Sequence, residues 1–291
     1  MTGRPEGPRA GPSGLSRPRP RPVLSGAAPR PPGSRNSLPR SAGVPADCRA
    51  MTADHPLDDP VWHALTSHHA GLAESSGRAV RYRSDVSVFA SAESFDPAAW
   101  DDLAALAGAG GSVVIGRRDI PAPPAGWGLT MDLGGVQLVA TALTGDVPAP
   151  AGLTVRRLGP DDVEDMLALV TLAQPGPFRR RTIEMGTYLG IRQGGRLVGM
   201  AGERAHLTGY TEISGVCTHP YVRGRGLGAY LTQAVAQGIE SRGEVAFLHA
   251  ADTNTGAIRL YERLGFTFRS APLFRRYVAP AEAAADATAA D

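Results

Sequence analysis

The chain has 291 residues with 30 basic and 28 acidic side chains, a formal charge of +2 and 42% apolar residues, enough for one large or two ordinary domains with a real core. Every basic residue is arginine, which excludes a lysine Schiff base, a P-loop lysine and lysine self-acylation. Two cysteines, Cys48 and Cys217, cannot build a disulfide framework or a four-ligand zinc site alone, and no apolar run approaches the roughly 20 residues of a membrane span.

Residues 1–50 hold eleven prolines, seven glycines and nine arginines against Glu6 and Asp47. With almost no large aliphatics and no aromatics, this segment is expected to be a disordered Pro/Arg-rich tail. Alternating proline near Arg17–Pro22 forbids the amphipathic helix of a transit peptide, and the apolar stretch at Val23 and Leu24 is too short for a signal peptide. Met51 is the natural alternative beginning, and a cytoplasmic protein is expected. The segment carries +7, so residues 51–291 carry −5, a poor charge for binding nucleic acid.

Structure is expected from Asp58. Asp58-Asp59-Pro60 opens a helix with Val61, Trp62, Leu65, His69 and Leu72 at helical spacing. A strand lies within Arg78–Phe89, and a second helix from Asp96-Pro97 carries Trp100, Leu103 and Leu106. Strands follow at Ser112–Gly116 and Leu129–Thr141. Gly145–Gly152 is a linker. Residues 51–147 therefore form an N-terminal α/β half and residues 151–279 a second domain, with a frayed tail over 280–291.

In the second domain a strand at Leu153–Leu158 precedes a helix opened by Gly159–Asp162, with Val163, Met166, Leu167 and Val170 on its buried face. After a loop at Ala173–Arg181 come strands at Gly186–Arg192, Arg196–Leu207 and Gly209–Thr218. A glycine-rich loop, Arg223–Gly228, leads into a helix reaching about Ser241. Then come a strand at Val245–Ala250, a helix at Thr255–Arg263 and a last strand within Phe266–Val278.

The chemistry concentrates in His219-Pro220-Tyr221-Val222-Arg223-Gly224-Arg225-Gly226-Leu227-Gly228. Glycines between a strand and a helix let backbone N–H groups converge on an anion, and the helix N-terminus adds partial positive charge. A pyrophosphate is the natural guest. Gly224-x-Gly226-x-x-Ala229 satisfies the dinucleotide fingerprint formally, but five residues separate Thr218 from Gly224 and three strands in a row precede the loop, against the parallel alternation such a domain needs.

Arg223-x-x-Gly226-x-Gly228, joined to Asn254…Ala257…Leu260-Tyr261-Glu262-Arg263-Leu264-Gly265-Phe266, resembles the GNAT superfamily of acyl-CoA N-acyltransferases over residues 153–278, and most closely its glycine N-acyltransferase-like branch. The resemblance implies an α/β (α+β) fold with a mixed, mostly antiparallel twisted sheet flanked by helices. Residues 58–144 would be a degenerate copy without a CoA loop of its own. It implies acetyl-CoA as acyl donor, no metal, and a primary amine of a small molecule or amino acid as acceptor.

It further implies that the fourth and fifth strands of the domain splay. Val216, Cys217 and Thr218 would pair with the pantetheine arm, with an N–H near Val216 or Cys217 polarising the thioester carbonyl. Arg223, Gly224, Arg225, Gly226, Leu227 and Gly228 would hold the pyrophosphate. Tyr261 matches the position of a catalytic acid, although its spacing with Ile258 and Leu264 also suits core packing. Asn254 matches a contact to the cofactor arm, or is the cap of its helix. Glu212 matches a frequent site for the general base, on one strand face with Ser214 and Val216 by alternation, and His249 is a second base candidate. Cys217 reads as a small packing residue, since direct transfer needs no acyl-enzyme. An arginine of Phe178–Arg181 could meet an acceptor carboxylate, with Tyr188 and Tyr210 nearby. A non-catalytic acyl-CoA sensor of the same fold is the alternative function.

Overall fold

The computed structural model describes residues 55–145 and 147–281. The tail expected over 1–50, and all but the start of the one over 280–291, lie outside the described residues. A 3₁₀ turn at Pro56–Asp58 leads to helix α1 (Pro60–Leu65), which begins where Asp59 accepts a hydrogen bond from the Trp62 N–H at 3.0 Å. The apolar spacing runs on to Leu72, but α1 stops at Leu65. Thr66 and Ser67 turn their hydroxyls back onto the carbonyls of Trp62 and His63, and His69 is drawn into hydrogen bonds with the Tyr82 hydroxyl (2.9 Å) and the Met185 carbonyl (3.0 Å).

Strands β1 (Ala73–Ser76), β2 (Ala79–Tyr82) and β3 (Ala90–Ala92) form a small antiparallel sheet. The strand expected within 78–89 is β2; a turn closed by the Val86 N–H on the Arg83 carbonyl at 2.9 Å then leads to β3. Helix α2 (Pro97–Ala107) starts with Asp96 capping Ala99 at 2.9 Å and buries Trp100 and Leu103.

The main sheet takes strands from the whole described chain. β4 (Ser112–Arg117) and β5 (Gly128–Ala140) precede the 145–152 segment; β6 (Thr154–Arg157) and helix α3 (Val163–Ala173) follow it. Next come β7 (Tyr188–Gln193), β8 (Arg196–Leu207), β9 (Tyr210–Thr218), helix α4 (Leu227–Glu240), β10 (Val245–Ala251), helix α5 (Thr255–Arg263), β11 (Phe266–Ser270) and β12 (Leu273–Val278). The nine strands run β4-β12-β5-β10-β9-β8-β7-β6, with β11 beside β5. Among the described residues every pair in this sheet is antiparallel except β9 with β10. This is the mixed, mostly antiparallel sheet flanked by helices that the family resemblance implies.

The two halves share this sheet. The first part of β5, Gly128–Gly134, pairs with β12; its second part, Gly135–Ala140, lies between β10 and β11. β12 in turn fills the gap between β4 and β5. The last strand of each half is therefore set into the other half, and the sheet runs through the boundary expected near residues 147–151. The final strand expected over 266–278 is broken at Pro272, whose missing N–H ends one ladder and lets the chain step to the next.

Helix α4 buries Leu227, Leu231, Val235 and Ile239, four residues apart along one stripe, against Ile213, Val198 and Leu248. Helix α5 adds Tyr261 to the same cluster. It ends at Gly265, where φ is +93° and a Cβ would sit 1.8 Å from the Ala142 carbonyl oxygen, so the glycine of the Tyr261–Phe266 segment is a backbone necessity. On the other face α3 buries Val163, Met166 and Leu169, with Met166 and Leu169 packing on Tyr188, Met200 and Cys217. Leu167 and Val170 are only half-buried there. No described helix is long and apolar enough to cross a membrane.

Candidate active site

β9 and β10 pair in parallel from Tyr210 with Val245 to Ile213 with Leu248, and there the ladder ends. Both strands continue. β9 runs on to Thr218 paired with β8, and β10 to Ala251 paired with β5. Beyond Ile213 the facing edges of the two strands diverge, and the open edge of Ser214–Thr218 spans roughly 17 Å at the usual rise per strand residue. The family resemblance implies a splay between these two strands. An extended amide-bearing chain can add itself to such an edge as a further strand.

The open edge carries a bulge. Ser214 is opposite Gly202 and Cys217 opposite Met200, so β9 spends an extra residue here, with Gly215 at φ +65°. This breaks the strict alternation expected between Glu212 and Val216. Val216 packs with Ile213 in the cluster beneath α4, whereas Cys217 packs with Tyr188 and Met200 on the other face. Burial pushes the Cys217 thiol up to about 12, with the nearby Arg223 opposing the shift only in part, so it stays a thiol at neutral pH.

At the end of β9 the chain makes a 3₁₀ turn at Pro220–Val222, buries Val222 and emerges as the exposed loop Arg223–Gly226. Gly224 and Gly226 both have φ of +77°, a conformation that only glycine adopts without strain. Gly226 is the N-cap of α4, and the first helical bond runs from Tyr230 N–H to the Gly226 carbonyl at 3.0 Å. The N–H groups of Gly224, Arg225 and Gly226 donate to no acceptor among the described residues, and neither Arg223 nor Arg225 has an ion-pair partner among them. A Cβ placed on Gly224, Gly226 or Gly228 meets nothing within 4 Å. The loop thus offers unspent donors, two free guanidiniums and open space at a helix N-terminus, which fits a pyrophosphate.

Glu212 is brought to the last turn of the paired segment, but it is not a free carboxylate. It is 2% exposed. Oε2 accepts from Arg204 Nε at 2.9 Å, Oε1 accepts from Arg204 Nη2, and His249 Nδ1 lies 2.7 Å from Oε1. Burial raises its pKa, yet the charge of Arg204 and the hydrogen bonds from Arg204 and His249 outweigh burial and hold the carboxyl far below its ordinary range. Arg204 therefore removes from Glu212 the basicity that a general base needs.

His249, the first β10 residue beyond the split, is held from both sides: Nδ1 on Glu212 and Nε2 3.0 Å from the Gln137 side-chain nitrogen. Gln137 also donates to the Leu57 carbonyl at 2.8 Å, and its oxygen accepts from Arg269 at 2.8 Å, which in turn pairs with Asp58 at 2.8 Å. The space above Glu212 and His249, walled by Pro60, Val61, Phe89 and Phe274, is about 10 Å³, room for about one water. Neither Arg204 nor Gln137 was identified from the sequence. The available signal was a charge or an amide at a position where an apolar strand calls for Val or Leu.

Tyr261 lies in the cluster beneath α4, 8% exposed, its ring edge-on to Phe266 at 6.2 Å. Burial pushes its phenol up to about 12, and Cys217 adds to the shift. Asn254 is the N-cap of α5, its oxygen accepting from Ala257 N–H at 3.2 Å, while its amide nitrogen stays exposed. Tyr188 is buried against Phe178, and Tyr210 stands at the closed end of the split beside His55.

Comparisons with known proteins agree with this geometry. The family model of FR47-like proteins matches residues 188–274, which contain the split, the loop and α5. No curated protein matches the chain. A GNAT-family protein of Novosphingobium aromaticivorans is similar at 37% identity and a TM-score of 0.70, over 77% of this chain and 98% of that one. A GCN5-related N-acetyltransferase from Kribbella flavida shares the fold at 23% identity and a TM-score of 0.52, over 77% of this chain and 98% of that one. The chain belongs to the GNAT family of acetyltransferases.

Proposed function

We propose that this protein transfers the acetyl group of acetyl-CoA to a primary amine of a small molecule or amino acid by direct attack, and that it stands in the glycine N-acyltransferase-like branch of its family. One observation carries the reading. The parallel pairing of β9 and β10 stops at Ile213 and Leu248, and the open edge of β9 leads straight into the donor-rich loop Arg223–Gly228. The machinery lies in residues 151–279, with residues 51–147 completing its sheet.

In this reading Val216–Thr218 present their backbone to the pantetheine arm, and the loop holds the pyrophosphate through N–H groups and Arg223 and Arg225. Asn254 caps α5 with its oxygen and has its amide left for the cofactor arm. Bound acetyl-CoA supplies the activated acyl group. Tyr261, raised to about 12, keeps its proton at neutral pH and hands it to the departing thiolate. The amine's proton leaves through water, for which the gap above Glu212 and His249 has room, while Glu212 and Gln137 fix the imidazole that walls it. This replaces Glu212 acting alone, because Arg204 suppresses its basicity.

The experiment is thiol release from acetyl-CoA with a panel of amines and amino acids, run beside calorimetric binding of CoA. Binding with amine-stimulated release supports the transferase. Binding without release under any amine supports the alternative, a sensor of acyl-CoA, and no binding overturns both.

A further inference from the structure

A second polar cavity lies outside this site, on the seam between the small sheet and the main one. Its volume is about 250 Å³, and its wall includes Arg81, Ser84 and Ser87 from β2 and the turn after it, Ser112 from β4, Arg179 from the loop before β7, and Arg276 from β12. It shares no lining residue with the gap above Glu212 and His249.

The charges around it do not cancel. Arg81 is paired with Glu74 at 2.7 Å. The other two neighbouring arginines of the 179–181 run are spent: Arg180 on Glu164 at 2.6 Å, and Arg181 on Asp85 and Glu184 at 3.2 and 2.7 Å. Arg179 and Arg276 have no carboxylate partner among the described residues. Ser87 gives a second, independent sign. It is 7% exposed, and its hydroxyl makes no hydrogen bond among the described residues while lining the cavity. That hydroxyl is open to the cavity and is left to donate to a molecule that enters it.

The frame is fixed. The Arg179 N–H donates to the Thr182 hydroxyl at 2.7 Å, and that hydroxyl donates to the Val86 carbonyl at 2.6 Å, tying the arginine's loop to the Ser84–Ser87 turn. Arg276 sits on β12 with β4 on one side and β5 on the other. The guanidiniums are thus anchored at their backbones before any ligand arrives, which reduces the ordering cost of binding.

We infer that this cavity binds a small dianion, a dicarboxylate or a phosphate monoester, with Arg179 and Arg276 meeting its charges and Ser87 donating to it. Two unpaired guanidiniums match two negative charges, and their planar forks suit carboxylate and phosphate alike. The bound anion would bridge the turn after β2, the loop before β7 and β12, and so join the small sheet to the main one.

The test is calorimetric titration of the full chain with inorganic phosphate, glycerol phosphate and succinate at ionic strength held constant with sodium chloride. Every titration is made in the Arg223→Gln/Arg225→Gln background, which removes the two loop arginines as competing anion contacts. One-to-one binding of at least one of the three anions is expected. It should weaken at least about tenfold in the further variant Arg179→Gln/Arg276→Gln, from the loss of charge-assisted hydrogen bonds. Binding of the two phosphates alone assigns the phosphate class, and binding of succinate alone the dicarboxylate class. A circular dichroism melt unchanged between backgrounds shows that the fold is intact; if the arginine pair proves disruptive, Ser87→Val replaces it with the same weakening expected. No saturable binding, or binding that survives both changes, overturns the inference.

Discussion

The Gln137 side-chain nitrogen lies 3.0 Å from His249 Nε2. Its other hydrogen is given to the Leu57 carbonyl, and its oxygen is occupied by Arg269. An amide nitrogen only donates, so His249 Nε2 is the acceptor, and the neutral imidazole carries its hydrogen on Nδ1 facing Glu212. Gln137 comes from β5, in the N-terminal half, and His249 from β10, in the C-terminal half. The tautomer at the mouth of the split is therefore set by the half that lacks the Arg223–Gly228 loop. Gln137→Leu should remove that control. We expect a fall in amine-dependent turnover with the affinity for CoA unchanged, read by comparing steady-state rates with calorimetric binding.

Arg204 and Glu212 form a buried pair whose parts are worth little separately. Arg204→Met leaves a buried carboxylate with only His249 and the Ala205 N–H, at 3.4 Å, beside it, and should destabilise the protein by about 3–5 kcal/mol in urea unfolding. Arg204→Met/Glu212→Gln should lose clearly less. Additive losses would show that the pairing contributes little.

Tyr261→Phe removes a hydroxyl that has no hydrogen-bond partner among the described residues, so the melting temperature should barely move. The turnover number should fall by about 10²-fold or more, the usual contribution of a placed acid. Because the folded phenol is raised to about 12, it keeps its proton across the assay range, and no alkaline loss of rate near pH 10 should belong to it. An alkaline limb near pH 10 that vanishes in Tyr261→Phe would contradict that.

Gly226→Val tests the loop. Space is not the obstacle, since a Cβ there meets nothing within 4 Å; the φ of +77° is. A β-branched residue should strain the N-cap of α4 by about 1–3 kcal/mol and raise the dissociation constant for CoA. An unchanged affinity for CoA would remove the loop from the binding site.

How much of this was readable beforehand follows from which interactions are local. The loop, the caps at Asp96 and Asn254 and the glycine at 265 are set by residues a few positions apart, and the sequence shows them plainly. The bulge at Gly215 is not, because a glycine in a strand pattern does not say which neighbour it faces. The exchange of β5 and β12 between halves is a long-range pairing that no spacing encodes. The Arg204–Glu212–His249–Gln137 chain joins four strands, and its members look like isolated polar residues until the sheet assembles them.

The fold should lose stability in acid for a calculable reason. Asp162 is held below the ordinary carboxylate range by hydrogen bonds from Arg156, Gly159 and Arg192, and Glu212 by its partners against the cost of burial. Both folded values are depressed, so their contribution is complete above the unfolded value near pH 4 and is lost as pH falls below it. The urea midpoint should drop between about pH 4 and pH 2, and Asp162→Asn should flatten part of that drop. A midpoint independent of pH over this window would contradict both assignments.

The central claim is that the open edge of β9 and the Arg223–Gly228 loop serve acetyl transfer to an amine. Thiol release from acetyl-CoA, followed in the wild-type chain with and without a panel of primary amines, tests it most directly. The account predicts release that depends on one class of amine and yields one acetylated amine per thiol. Tight binding of acetyl-CoA with no amine-dependent release across the panel would contradict it.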